Sequence, residues 1–138
     1  MLNVIVGADV APGDYPFTIT GVSGSLIHTA NAVLTVLVQG KYTVSITPPA
    51  QTVSRNSSSN YTVTITPLNG FHWTVDLAVE GASTHIAATL DSGSVGPSGT
   101  ATLTVNVDAT AGRGTHTLRV VGTSGQERKI GKVAITVH

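Results

Sequence analysis

The chain has 138 residues and no cysteine. That excludes a disulfide framework and thiolate metal centres, and it leaves the compartment open. Charge is scarce: seven basic and seven acidic residues cancel and together make up a tenth of the chain. No net field would gather nucleic acid or anionic lipid, so neither is expected as a partner. Aromatic residues supply only 4%, too few for a broad stacking platform. No apolar run approaches the ~18 residues that cross a bilayer, so membrane insertion is not expected. The first ten residues, MLNVIVGADV, have neither the cationic lead nor the apolar stretch of a signal peptide.

What the chain has in abundance is valine, isoleucine and threonine in alternation. Seven runs between 42 and 138 carry it: 42–47, 60–66, 73–79, 85–90, 100–107, 115–121 and 132–138. Tyr61, Val63 and Ile65 fall on one face of their run, and Thr62, Thr64 and Thr66 on the other. The same holds for Leu103, Val105 and Val107 against Thr102, Thr104 and Asn106. Such period-two patterning belongs to antiparallel sheets with one buried and one wet face. Pro48-Pro49, Asn69-Gly70, Ser92-Gly93, Gly96-Pro97 and Gly125 punctuate the runs. Seven short strands in about 100 residues predict a two-layer sandwich.

The chain also repeats itself. With an offset of 101, residues 2–37 lie on residues 103–138 without a gap, and ten of the 36 pairs are identical. Among them are Gly13/Gly114, Gly21/Gly122, Ser23/Ser124 and Gly24/Gly125. The period is too long for a solenoid and matches one immunoglobulin-sized domain. Residues 38–138 therefore read as one complete repeat. Residues 1–37 read as the last three strands (2–6, 15–20 and 30–38) of the repeat before it. Val4, Val6, Phe17, Ile19, Leu34 and Val36 would then lack a cover. At roughly 1.5–3 kcal/mol each, that is on the order of 10 kcal/mol. A homo-oligomer, formed by pairing or exchange of these orphan strands, is the expected remedy.

Three segments carry a family resemblance: 11–36 (APGDYPFTITGVSGSLIHTANAVLTV), 51–71 (QTVSRNSSSNYTVTITPLNGF) and 99–125 (GTATLTVNVDATAGRGTHTLRVVGTSG). In them the chain resembles the bacterial Ig-like tandem repeats of secreted and cell-surface proteins. The resemblance implies an all-β, immunoglobulin-like antiparallel sandwich, an extracellular or cell-surface setting, and a spacer or adhesive role without cofactor. The chain departs from that pattern at His72-Trp73, across 81–96, and at His116, which stands where the partial repeat has Tyr15.

Candidate chemistry lies at these departures. His72 and Trp73 are the ligand-binding candidates, as a sugar-stacking or protein-contacting pair. The competing expectation for Trp73, at the start of a predicted strand, is burial. His85, Asp91 and Ser92 are the catalytic candidates for a serine-type ester hydrolase, which needs hydroxyl, imidazole and carboxylate within hydrogen-bond reach. The serines of GVSGS and GTSGQ miss the nucleophile-elbow pattern and match tight turns. The five histidines stand at no zinc spacing, so no metal site is expected. Three functions follow: a non-catalytic structural or adhesive module, an ester hydrolase on an Ig-like scaffold, and a glycan- or protein-binding module.

Overall fold

The structure is a computed structural model that describes residues 1–7, 10–37 and 40–138. Its regular elements are all strands: β1 (Gly13–Ser23), β2 (Leu26–Val36), β3 (Lys41–Thr47), β4 (Ala50–Val53), β5 (Ser57–Leu68), β6 (Val75–Glu80), β7 (Ile86–Leu90), β8 (Ser94–Val95), β9 (Thr100–Val107), β10 (Gly114–Ser124) and β11 (Glu127–Val137). By contact the chain divides into two compact units, Met1–Gln39 and Gly40–His138.

The larger unit is a sandwich of two sheets. One has the order β3-β5-β9-β7, the other β4-β11-β10-β6-β8. Four strands against a sheet whose last two strands form a hairpin is the strand arrangement of an immunoglobulin-type domain. Alternation puts Tyr42, Val44, Ile46, Tyr61, Val63, Ile65, Leu103 and Val105 inward from the first sheet. Val75, Leu118, Val120, Val133, Ile135 and Val137 meet them from the second. From Ser58 to Thr66 on β5 and from Thr100 to Asn106 on β9 the outward faces are threonine, serine and asparagine, in cross-strand pairs such as Thr62↔Thr102 and Asn60↔Thr104. Hydroxyl-bearing, β-branched threonine suits a wet pleated surface, which explains how so few charges suffice.

Two strands escape the alternation rule. β4 and β8 have four and two residues, too short for a period to register. β4 also pairs parallel to β11, with Ala50↔Ala134 through Val53↔Val137, within an otherwise antiparallel sandwich. At the other end of β5, Asn69 and Gly70 both have positive φ (51° and 77°). The Phe71 N–H donates to the Leu68 carbonyl at 3.1 Å. This is the backbone signature of a tight hairpin-type turn, and it drives Phe71 into the core.

The smaller unit is a two-stranded sheet, β1 against β2. Its eleven register pairs run from Gly13↔Val36 to Ser23↔Leu26; those of β10 and β11 run from Gly114↔Val137 to Ser124↔Glu127. Every pair recurs at an offset of 101. The strand expected at 2–6 is not formed. Its counterpart in β9 is bonded to β5 on one side and β7 on the other. Unit one has no described strand equivalent to either, so the segment has no ladder to join. The strand expected at 30–38 is β2, with Val38 outside the described residues.

Candidate functional site

His85, Asp91 and Ser92 do not converge. β7 stands between the imidazole and the other two, and six extended residues span about 20 Å. The hydrolytic constellation expected from the sequence is therefore not assembled. Each residue has a local task instead. Asp91 Oδ1 accepts the Thr102 N–H at 2.8 Å, and this backbone bond holds its carboxyl below the usual carboxylate range. Ser92 Oγ donates to the Ser94 carbonyl at 2.6 Å, closing the turn that leads into β8.

His85 has partners that sequence reasoning missed. Pairing of β7 with β9 sets Ile86 opposite Val107, which brings His85 to the turn following β9. Its Nδ1 lies 3.0 Å from Thr110 Oγ1. Asp108 Oδ1 accepts both the Thr110 N–H at 2.8 Å and the Thr110 hydroxyl at 3.0 Å. These two bonds, with the nearby imidazole as a smaller effect, lower the Asp108 pKa. Because the single Thr110 hydroxyl proton goes to the carboxylate, His85 Nδ1 must donate to Thr110. An Asp-x-Thr turn after a strand is a recognisable signal; its pairing with a residue 23 positions earlier (His85) is not. The group borders an open depression of about 490 Å³, whose other polar walls are Asn56, Ser57, Ser58, Thr84 and Asn106. Among the described residues no serine hydroxyl bonds the His85 ring, so the nucleophile–base pair of serine hydrolysis is missing.

His72 and Trp73 lie between β5 and β6, and their placement corrects the expectation of burial. Trp73 is 45% exposed. The inward aromatic positions here belong to Tyr42 and Phe71, whose ring centroids are 4.7 Å apart. Trp73 meets Phe71 edge-on at 5.5 Å and stacks on His72 at 3.9 Å. His72 Nδ1 donates to the Gly70 carbonyl at 2.9 Å. The indole is thus fixed by two rings while keeping accessible surface. Among the described residues no group of three His, Asp or Glu side chains is placed to hold a metal, and no helix is long and apolar enough to cross a membrane.

No protein-family model and no curated protein matches the sequence. Solved structures do match by shape. The chain is similar to domains 4 and 5 of the S-layer protein SbsC, with a TM-score of 0.55 and 19% identity, over 93% of this chain and 66% of that one. Domains 1–6 of SbsC give 0.58 and 19%, over 93% and 17%. A Bacteroides ovatus GH5 xyloglucanase in complex with a XXXG heptasaccharide gives 0.50 and 12%, over 71% and 19%. This chain thus spans from about two-thirds to about one-sixth of the proteins it resembles. What it shares with them is the fold: an all-β chain of sandwich type.

Proposed function

We propose that the chain is a non-catalytic structural module of a bacterial surface protein, one repeat of a tandem array and part of another. The internal repeat carries the reading. The same hairpin, in the same register, recurs after 101 residues, as expected where a chain is extended by adding domains rather than by elaborating one site. Likeness in fold to an S-layer protein supports a surface setting. The separation of His85 from Asp91 and Ser92 supports the absence of turnover. Hydrolysis of p-nitrophenyl acetate should equal that of the His85→Ala and Ser92→Ala variants. Turnover abolished by either substitution sinks the reading in favour of an ester hydrolase.

A second reading, a glycan- or protein-binding role, rests on Trp73, held by two rings yet accessible. Aromatic side chains in that state stack well on sugar faces and on partner side chains. Saturable quenching of the single Trp by a soluble polysaccharide, lost in His72→Ala, supports it; unchanged fluorescence across polysaccharides removes the glycan case.

A further inference from the structure

We infer that the β1–β2 hairpin forms an acceptor surface for the strands equivalent to β3 through β8 of another repeat of this type. The chain itself shows what covers such a surface, because the twin hairpin β10–β11 is covered. Leu118, Val120, Val133 and Ile135 are fully buried there. In β1–β2, Ile19, the counterpart of Val120, is 45% exposed, and Phe17 and Leu34 are only half-buried.

The edges tell the same story as the face. β10 pairs outward with β6 along Arg119–Thr123, and β11 with β4 along Ala134–Val137. Their counterparts, 18–22 and 33–36, have no outward partner among the described residues. An occupant must therefore supply an antiparallel strand at one edge, a parallel strand at the other, and an apolar sheet between them. A second β1–β2 hairpin laid face to face supplies only the sheet. Its footprint is roughly 36 by 10 Å, under half of the ~800 Å² per partner that stable interfaces bury.

Two small residues specify the occupant further. A Cβ at Gly122 would meet Val44 at 2.8 Å, Val75 at 2.9 Å and the Tyr42 ring at 3.3 Å. Gly122 is the seat of Tyr42, whose Oη donates to the Gly122 carbonyl at 2.8 Å. The counterpart Gly21 keeps this gap with nothing in it: a Cβ there meets only the His28 carbonyl, at 3.9 Å. The occupant thus brings an aromatic ring on its first strand. Gly131, whose Cβ would come within 3.1 Å of Val44 and Ile46, has Ala30 as its counterpart. At that point the natural occupant is slightly smaller than β3.

The test uses the full chain and a polypeptide of residues 40–101, which carries β3 through β8. Light scattering of the mixture should show a 1:1 complex. Gly21→Val should weaken it at least tenfold while leaving thermal unfolding of the free chain unchanged; Ala30→Gly should strengthen it several-fold. If the polypeptide is insoluble, residues 40–101 are joined directly ahead of Met1. Amides 18–22 and 33–36 should then become protected from hydrogen exchange, and Gly21→Val should remove that protection. No complex and no protection overturns the proposal. So does binding indifferent to Gly21→Val, which would place the polypeptide at β10–β11, and so does a dimer of the chain alone that buries this face.

Discussion

His116 makes the hydrogen bond that Tyr15 makes one repeat earlier. Tyr15 Oη donates to the Ala11 carbonyl at 2.7 Å, four residues back; His116 Nε2 donates to the Gly112 carbonyl at 2.9 Å, also four residues back. In immunoglobulin-type domains a tyrosine commonly ties this corner. The two side chains differ in shape but deliver a donor to the same place. His116→Tyr should therefore leave unfolding by urea unchanged or slightly delayed, whereas His116→Ala should cost about 1 kcal/mol.

The Tyr42 hydroxyl is shared between the Gly122 carbonyl at 2.8 Å and the Glu127 carbonyl at 2.9 Å. Burial first, then the charge of Glu127, raises its pKa. Tyr42→Phe should lose about 1–2 kcal/mol. Gly122→Ala, which pushes a methyl into Val44 and Val75, should lose about 1–3 kcal/mol. A raised folded pKa means stability that is complete below the unfolded value of about 10 and is lost as pH rises through the folded one. The alkaline fall in Tm should be shallower in Tyr42→Phe.

Acid should act through the two carboxylates that hold turns. Asp91 and Asp108 are lowered by backbone N–H bonds, so their contribution is present above the unfolded value of about 3.9. It disappears as pH falls through their folded values. The Tm should be flat from neutrality to about pH 5 and then decline. The Asp91→Asn/Asp108→Asn double variant should start lower and decline less.

Phe71 and Trp73 are two residues apart and should behave oppositely. Phe71 is 6% exposed and Trp73 45%. Phe71→Ala should cost about 3–5 kcal/mol, and Trp73→Ala under about 1 kcal/mol. Acrylamide should quench the single tryptophan of the native protein efficiently.

The long strands were legible because period two over five or more residues leaves little choice of face. The repeat was legible because it needs no structure at all. β4 and β8 were not, being shorter than any periodic signal. Residues 2–6 read as a strand and are none, since a strand is completed by neighbours that the local sequence does not contain. Trp73 carried an apolar signature, but Val75, two positions on, fills the core. The Asp91–Ser92 pairing with His85 failed for a geometric reason: nearness along an extended chain means distance in space. The partners His85 does have, Asp108 and Thr110, arrive across a ladder, and ladders join residues remote in sequence.

The parallel pairing of β4 with β11 bears on how the larger unit would carry tension. Tyr42, near its beginning, lies against Glu127 at the start of β11, and Val53 pairs with Val137 at its finish. The opening strands β3 and β4 therefore run in the same direction as the last strand, with β4 paired to it, and the two ends leave from opposite poles. A pull on those ends is directed along the strands. It loads the β4–β11 hydrogen bonds together, in shear, instead of opening them one after another as in a peeled hairpin. A unit wired in this way resists stretching along the line in which a tandem chain would be stretched.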